Sequence, residues 1–270
     1  MNYRPVLNNI PPVVKNLIII NVLFLLATWV LQGMGVDLVA IFGVHYPGSD
    51  KFMLHQVVTH MFMHGGIAHL FFNMFALWMF GRVLESVWGS RRFLIYYMIT
   101  GLGAVALHMF VNYLEISSMQ NVIEAFRNTP SPEILEGFVS KNLPNSSVQV
   151  RDFINTWYND PDNLSYAAEG SRLMERILQL KMDIPTVGAS GAVFGVLLAF
   201  GVLFPNTQLM LLFPPIPIKA KYFVIGYGLI ELYLGLSQPG SNVAHFAHLG
   251  GMLFGYLLIK YWNKKTKHFY

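Results

Sequence analysis

Long apolar stretches recur along the chain and are separated by short polar links. A bilayer core of about 30 Å requires about 20 mostly apolar residues in a helix. Six stretches meet this requirement and predict transmembrane helices, at residues 16–33, 66–84, 93–112, 187–205, 221–236 and 243–262. The pattern therefore predicts an all-α membrane protein whose six helices form a bundle.

The link between the third and fourth predicted helices has a different pattern. Residues 113–183 hold several prolines and most of the acidic residues of the chain. Within this link, SPEILEGFVSKN and GSRLMERILQLKMD have the pattern of short amphipathic helices. In the first of them, Ser131 is placed as the N-cap and Pro132 at the first helical position. We expect a single membrane domain over residues 1–270 that carries 113–183 as a water-exposed, extracytoplasmic helical insertion.

The composition agrees with a protein embedded in a lipid bilayer. Of the 270 residues, 54% are hydrophobic and 12% are charged, and the mean hydropathy is +0.46. A soluble domain carries about 25% charged residues. The absence of cysteine excludes disulfides, thiolate nucleophiles and cysteine metal sites. The first residues resemble no removable signal peptide, and nothing in the pattern indicates a nucleic-acid partner.

The distribution of basic residues predicts the orientation. Six of the 18 Lys and Arg residues lie in the insertion, and 12 lie elsewhere. Cytoplasmic loops carry an excess of Lys and Arg. With both termini on the cytoplasmic side, 11 of those 12 fall on that side, and only Lys51 falls outside. In this orientation the second, fourth and sixth helices all begin at the external face.

Polar side chains cluster at the beginnings of those three helices. Ser190 begins the fourth, His69 and Asn73 lie near the start of the second, and His245 and His248 lie at the start of the sixth. Polar groups at membrane depth are costly and usually face a bundle interior or a water-filled cavity. Serine alone is also a common packing residue in membrane helices. It is the shared depth of these groups that predicts a functional site.

Glycine spacing on two of these helices predicts how they pack. Gly191 and Gly195 lie four residues apart beside Ser190, and Gly251 shares a helix face with His248. Small residues at this spacing let two backbones approach closely. Contact between these faces would bring the Ser190 hydroxyl within reach of the His248 ring. In that geometry an imidazole base activates a serine nucleophile.

Three segments on alternate helices, HGGIAHLFFN, GASGAVFG and AHFAHLGGMLFG, resemble the rhomboid intramembrane serine proteases. The resemblance implies a six-helix rhomboid-like bundle with Ser190 as nucleophile and His248 as general base. It also implies that His69 and Asn73 form the oxyanion hole together with the Ser190 N–H. The substrates would be single-pass or other transmembrane proteins, cleaved on the extracytoplasmic side. No cofactor is implied.

Further residues are expected to support this site. Gly188 belongs to the G-x-S-G segment, and Gly251 follows His248 in A-H-x-G-G. Phe194, one turn after the serine, is placed to stack on the imidazole. His245 is expected to be a structural or supporting residue, and it remains the rival of His248 as the base.

Acidic residues have two expected roles in this scheme. No acid is expected beside His248, so the hypothesis is a Ser–His dyad. Glu231, in the fifth predicted helix, is either a functional residue or forms a structural hydrogen bond near the substrate entrance. The segment GRVLESVWGSRRF resembles the cytoplasmic turn of the family, with Arg82 and Glu85 as structural residues.

Several histidines have spacings that also occur in metal sites. His60 and His64 are four residues apart, and His245 and His248 are three apart. The chain lacks an H-E-x-x-H motif, and its predicted helices carry few carboxylates, so we expect no metal. His55 and His64 are expected to hold the first external loop by hydrogen bonds.

Two departures from the family pattern accompany the resemblance. The first external loop lacks the usual Trp–Arg pair, and the link at 113–183 is unusually long. The alternatives are a catalytically silent relative that binds transmembrane clients and a small transporter. A transporter predicts helices broken at mid-span and charges at the bilayer centre. The expected location is multi-pass in a bacterial inner membrane.

Overall fold

Helices make up most of the computed structural model, which describes residues 10–160, 163–210, 215–237 and 243–265. The helices are α1 (Pro12–Gln32), α2 (Leu38–Phe42), α3 (Gln56–Thr59), α4 (Ile67–Ala76), α5 (Arg82–Trp88), α6 (Ser90–Asn128), α7 (Pro132–Asn142), α8 (Val148–Asn159), α9 (Leu164–Met182), α10 (Ser190–Leu203), α11 (Ala220–Ser237) and α12 (His245–Lys265). A short 3-10 turn (His60–Phe62) follows α3. Two antiparallel strands, β1 (Gln208–Met210) and β2 (Pro217–Lys219), pair with Leu209 opposite Ile218.

Among the residues that the structure describes, three stretches of helix are long and apolar enough to cross a membrane: Pro12–Gln32, Ile67–Trp88 and Ser90–Asn128. They correspond to the first three predicted transmembrane helices. The second of them consists of α4, a five-residue π-helical segment (Leu77–Gly81) and α5. The third, α6, has 39 residues and continues well beyond the predicted end at residue 112.

The other three predicted membrane stretches are helical but differ in extent. Helix α10 has 14 residues, fewer than predicted, because it begins only at Ser190 and ends just before Phe204 and Pro205. A proline disfavours helical geometry in the residue before it, which accounts for the end. Helices α11 and α12 occupy 18 and 21 residues. That these three helices span the bilayer stays a prediction.

The chain divides into two compact units. The first comprises Met1–Val44, Met53–Met109 and Pro185–Tyr270, and the second comprises His45–Phe52 and Phe110–Ile184. In the first, the side chains of α1, α4, α5, α10, α11, α12 and the beginning of α6 form an apolar core. All residues expected to be functional belong to this first unit.

The second unit contains the helices that the sequence predicted at 113–183, and one more. SPEILEGFVSKN forms α7, with Pro132 in its first turn and the Ser131 hydroxyl accepting the Ile134 N–H at 3.3 Å. GSRLMERILQLKMD lies within α9 except for its last residue, Asp183, which is the C-cap. Helix α8 was not predicted, although Val150, Ile154 and Trp157 have the i, i+4, i+7 spacing of a helix face. Apolar residues of all these helices share one core.

Glu85 fastens the beginning of α1 to the turn between α5 and α6. The first N–H groups of a helix have no intrahelical partner. The Val13 and Val14 N–H groups donate to the two Glu85 carboxylate oxygens at 2.9 and 2.8 Å. The Ser90 hydroxyl donates to the same carboxylate at 2.6 Å. The structural role expected of Glu85 is therefore visible as three hydrogen bonds, while the Arg82 guanidinium lies 4.6 Å from the centre of the Trp78 ring.

Candidate active site

Helices α10 and α12 pack closely against each other, and glycines lie where they cross. A methyl group on Gly251 would overlap the carbonyl group of Gly191. A methyl group on Gly191 would overlap the Ala104 side chain of α6. The two backbones are thus in direct contact on the glycine faces that the sequence singled out. This contact holds the beginning of α10 against the first turns of α12.

Ser190 is the first residue of α10, and Gly188 brings it beside His69. Gly188 has φ +132°, a conformation that side chains with a Cβ rarely adopt. A Cβ built on Gly188 would lie 2.9 Å from His69 Cε1 and 3.4 Å from Ser190 Oγ. The hydroxyl and the His69 imidazole therefore both lie against the same glycine, whose N–H donates to the His60 carbonyl at 2.9 Å.

The His248 ring is held on its face by Phe194. The two rings are parallel within 4°, with their centroids 4.1 Å apart. The Tyr227 ring also packs against Phe194, with the ring centroids 5.0 Å apart. Phe194 and Ser190 lie one turn apart on α10, so the stack places the His248 ring on the same face of α10 as the serine.

The prediction that no acid lies beside His248 was wrong. Glu231 Oε2 lies 2.9 Å from His248 Nδ1 and 2.7 Å from His245 Nδ1. The carboxyl group is buried, as are both histidines. Glu231 lies on α11, whereas the two histidines lie on α12, 14 and 17 residues later in the chain. The helical period predicts which residues of one helix share a face, and it predicts no contact between two helices. A neutral His248 that donates through Nδ1 has an unprotonated Nε2.

The same three residues offer one ligand atom each within 4.8 Å of one another. Two ligands of a tetrahedral zinc ion, each about 2.0–2.1 Å from it, stand about 3.3 Å apart. The N–O separations of 2.7 and 2.9 Å are those of hydrogen bonds. The arrangement therefore fits hydrogen bonds to the carboxylate better than ligation of one ion.

His69 and Asn73, which lie one turn apart on α4, are placed as hydrogen-bond donors. The Gly65 N–H donates to His69 Nδ1 at 3.5 Å, so the proton of the neutral ring is on Nε2. The buried Asn73 amide donates one N–H to the His69 carbonyl at 3.0 Å and has a second to donate. At the start of α10, the Ser190 N–H has no partner within its helix.

A small cavity of about 20 Å³ lies beside Ser190. Its lining includes His60 and the small residues Gly101, Ala104 and Ala247. A volume of this size accommodates about one water molecule.

Of the two histidines expected to hold the loop before α4 by hydrogen bonds, one does so. The His55 ring nitrogen Nε2 lies 2.9 Å from the Ile41 carbonyl oxygen, as expected. For His64 the expectation was wrong. Neither of its buried ring nitrogens has a hydrogen-bond partner among the described residues, and its ring packs edge-on against His69 at 5.0 Å. The His64 ring is therefore held by its contact with the His69 ring and by a weaker interaction with the Phe62 backbone.

Acid should destabilise the protein through His60 and His64. Burial lowers the pKa of each ring from 6.5 to about 4. Between these values the unfolded chain takes up protons that the folded protein excludes. The stabilising effect of the neutral rings is therefore complete above pH 6.5 and is lost as the pH falls towards 4. We expect the melting temperature in detergent micelles to fall less between pH 7 and pH 4.5 in His64→Phe than in the wild type.

The exposed His55 offers the control for this measurement. A His55→Phe variant should retain the acid sensitivity of the wild type, because that ring is not buried in the fold. An identical loss of melting temperature in wild type and His64→Phe would contradict the assignment to His64.

Comparison with known proteins identifies the family to which the chain belongs. Residues 51–118 and 164–264 match the Rhomboid domain family. The chain is therefore a member of the rhomboid family, and together with its apolar helices this makes it a multi-pass membrane protein.

Three curated relatives are similar to the chain. A 59-residue segment, 22% of the chain and 12% of the relative, is 42% identical to the rhomboid protease GluP of Bacillus subtilis (strain 168). An uncharacterized mitochondrial rhomboid protein of Schizosaccharomyces pombe is 26% identical over 225 residues, 78% of the chain and 52% of the relative. Mitochondrial Rhomboid protein 1 of Saccharomyces cerevisiae is 24% identical over 227 residues, 81% and 47% respectively.

The chain spans about half the length of the two mitochondrial relatives and a smaller share of GluP. Both relatives that align over most of the chain are mitochondrial, so the expected location in a bacterial inner membrane is not supported.

Proposed function

We propose that this protein is an intramembrane serine endopeptidase, with Ser190 as nucleophile and His248 as general base. The observation that carries the proposal is the fixed orientation of the His248 imidazole. The ring is stacked on Phe194 and bonded through Nδ1 to Glu231. Its helix contacts α10 backbone to backbone, at the end where Ser190 begins. Membership of a family that includes a named protease supports the same function.

The acylation step follows from these positions. His248 Nε2 takes the Ser190 hydroxyl proton as the serine oxygen bonds to the carbonyl carbon of the scissile peptide. The carbonyl electron pair moves onto oxygen. When it returns, the C–N bond breaks and His248 delivers the proton to the leaving amine. A water molecule, activated by the same nitrogen, then hydrolyses the acyl ester and restores the serine.

The negative charge on the oxygen requires donors already in place. The His69 Nε2–H, the second Asn73 N–H and the Ser190 backbone N–H are the donors we assign to it. One donor of this kind contributes about 2.7–4 kcal/mol to lowering the barrier. His69 and Ser190 both adjoin Gly188, which supports their action on one oxygen.

The substrates we propose are membrane proteins cleaved in or near a transmembrane segment. In this scheme six helices cross the bilayer, both termini are cytoplasmic, and 113–183 is the extracytoplasmic insertion. The site then lies near the external face, where water can reach it. A substrate helix must unwind before attack, because its carbonyl groups are occupied by intrahelical hydrogen bonds. Helix-destabilising residues near its external end would assist this step.

An activity-based probe tests the proposal without a known substrate. The full chain in detergent micelles is treated with a fluorophosphonate, and the modified residue is identified by mass spectrometry. We expect the adduct on Ser190, and no labelling in Ser190→Ala. Ser86→Ala, which removes an exposed hydroxyl on α5, should be labelled like the wild type.

Labelling that persists in Ser190→Ala would contradict the proposal. A wild-type protein without Ser190-dependent labelling would also contradict it, and would favour the silent relative that binds transmembrane clients.

A further inference from the structure

We propose that Glu231 is a positioning residue for the reaction, so that the site works as a Ser–His–Glu triad and not as a dyad. In this assignment the Glu231 carboxylate orients His248 and stabilises the imidazolium that forms when the serine proton is taken up. The inference rests on the proposed function and adds a third residue to it.

Stacking alone leaves the orientation of His248 undecided. A half-turn about the bond that carries the ring preserves the ring plane, and with it the contact to Phe194. That half-turn exchanges the position of each ring nitrogen with that of a ring carbon, so Nδ1 and Nε2 would face different neighbours. Only a hydrogen bond distinguishes the two orientations, and the 2.9 Å contact between His248 Nδ1 and Glu231 Oε2 provides it.

The same hydrogen bond selects the tautomer. An ionised carboxylate only accepts hydrogen bonds, so the proton of a neutral His248 resides on Nδ1. Nε2 is then the basic nitrogen, as proton transfer from Ser190 requires. In serine proteases with a carboxylate in this position, the carboxylate holds the tautomer and stabilises the imidazolium, without becoming protonated itself.

Burial makes the carboxylate effective. Glu231 is 5% exposed and His248 is 8% exposed. Two charges that are buried away from water interact more strongly than two charges exposed to it, because water screens them less. As His248 becomes positively charged during the reaction, the adjacent carboxylate therefore opposes the cost of placing that charge in a buried site.

His245 has a different relation to this carboxylate. Its Nδ1 donates to the same oxygen at 2.7 Å, so it supplies the buried carboxylate with a second hydrogen bond. Its ring is nearly perpendicular to that of His248, with the centroids 6.4 Å apart. His248, in contrast, stacks on Phe194 of α10, the helix that carries Ser190. We therefore assign the role of general base to His248, and we assign to His245 the role of holding Glu231 in place.

The test compares variants by the saturation kinetics of fluorophosphonate labelling, with the full chain in micelles. Glu231→Gln keeps the shape of the side chain and removes its charge. We expect the maximal labelling rate to fall by at least about 100-fold. Replacing the carboxylate of a serine protease triad by an amide likewise lowers the catalytic rate strongly. The probe concentration at half-maximal rate should stay unchanged, because Glu231 acts through His248 and does not contact the probe.

Glu85→Gln is the matched control, because it also replaces a buried carboxylate by an amide. Glu85 caps α1 and accepts the Ser90 hydroxyl, and it contacts no residue of the proposed site, so this variant should lower the melting temperature and leave the labelling rate of the folded protein unchanged. His245→Gln should lower the rate less than Glu231→Gln. In a His248→Ala background, Glu231→Gln should cause no further loss, as expected for residues that act as one unit.

Three results would overturn the inference. The first is that folded Glu231→Gln is labelled at the same maximal rate as the wild type and differs from it only in a lowered melting temperature, as expected for Glu85→Gln. The second is an additive loss in the His248→Ala background. The third is inhibition of the wild type by Zn²⁺ that EDTA reverses and Glu231→Gln abolishes, because the three groups would then be metal ligands.

Ser190-dependent labelling of the wild type is recorded in the same preparation. If it is present while Glu231→Gln behaves like the wild type, the positioning role fails and the proposed protease function stands.

Discussion

Replacing His248 by alanine is expected to lower peptide hydrolysis by about 10⁶-fold, as much as replacing Ser190 or both residues together. The losses should not add, because the serine hydroxyl is a weak nucleophile unless a base accepts its proton, and the base has no role without the serine. A fluorogenic single-span peptide in detergent micelles, with helix-destabilising residues near one end, is a suitable reporter. The initial rates of the wild type, the two single variants and the double variant give the comparison.

The melting temperature of each variant is the control for this series. Both side chains are smaller after substitution and neither one lies in the apolar core, so folded protein should be recovered in all cases. Losses that multiply in the double variant would show that Ser190 and His248 act independently. A His248→Ala variant that retains substantial activity, combined with an inactive His245→Ala variant, would assign the base to His245.

Replacing Gly251 by alanine is expected to prevent α10 and α12 from packing. The added methyl group would overlap the carbonyl group of Gly191, which is backbone and cannot rotate away as a side chain can. Overpacking of a fitted contact costs about 1–3 kcal/mol, and a contact between two backbones should lie at or above the upper end. We expect little folded protein by size-exclusion chromatography, and no fluorophosphonate labelling in whatever fraction folds, since Ser190 and His248 are then separated.

Gly226→Ala provides the comparison for this variant. Gly226 lies on α11, where a methyl group would meet nothing within 4 Å. Alanine in an open helical position is more favourable than glycine by roughly 0.5–1 kcal/mol, so this variant should melt at or above the wild-type temperature. If Gly251→Ala melted as high as Gly226→Ala, the close contact between α10 and α12 would be disproved.

The helices of this protein were largely predictable because the signals that make them are local. Apolar stretches of sufficient length predicted the helices that became α1, α6, α11 and α12. The side chain of Ser131 and the ring of Pro132 predicted the start of α7 from two adjacent residues. The prediction missed α8, although the spacing of its apolar residues is that of a helix face, so the local signal was present in the sequence there too.

The candidate site was predictable in part for the same reason. Rotation within one helix is set by the 3.6-residue period, so Phe194 could be placed on the face of Ser190, and Gly251 on the face of His248. The positive φ of Gly188 was not visible from the sequence, although glycine at that position permits it. The sequence also did not reveal that the ring nitrogens of His64 lack hydrogen-bond partners among the described residues, because this depends on what surrounds the buried ring.

The sequence by itself determined which stretches form helices, which faces of them carry polar groups, and that a hydroxyl and an imidazole occur at comparable positions on two of them. Only the tertiary structure decided that Glu231 meets His248, because the two stand on different helices whose relative rotation is set by packing. The direct backbone contact of Gly191 with Gly251 has the same origin. Periodicity fixes directions within a helix, whereas distances between helices result from the fit of all their side chains at once.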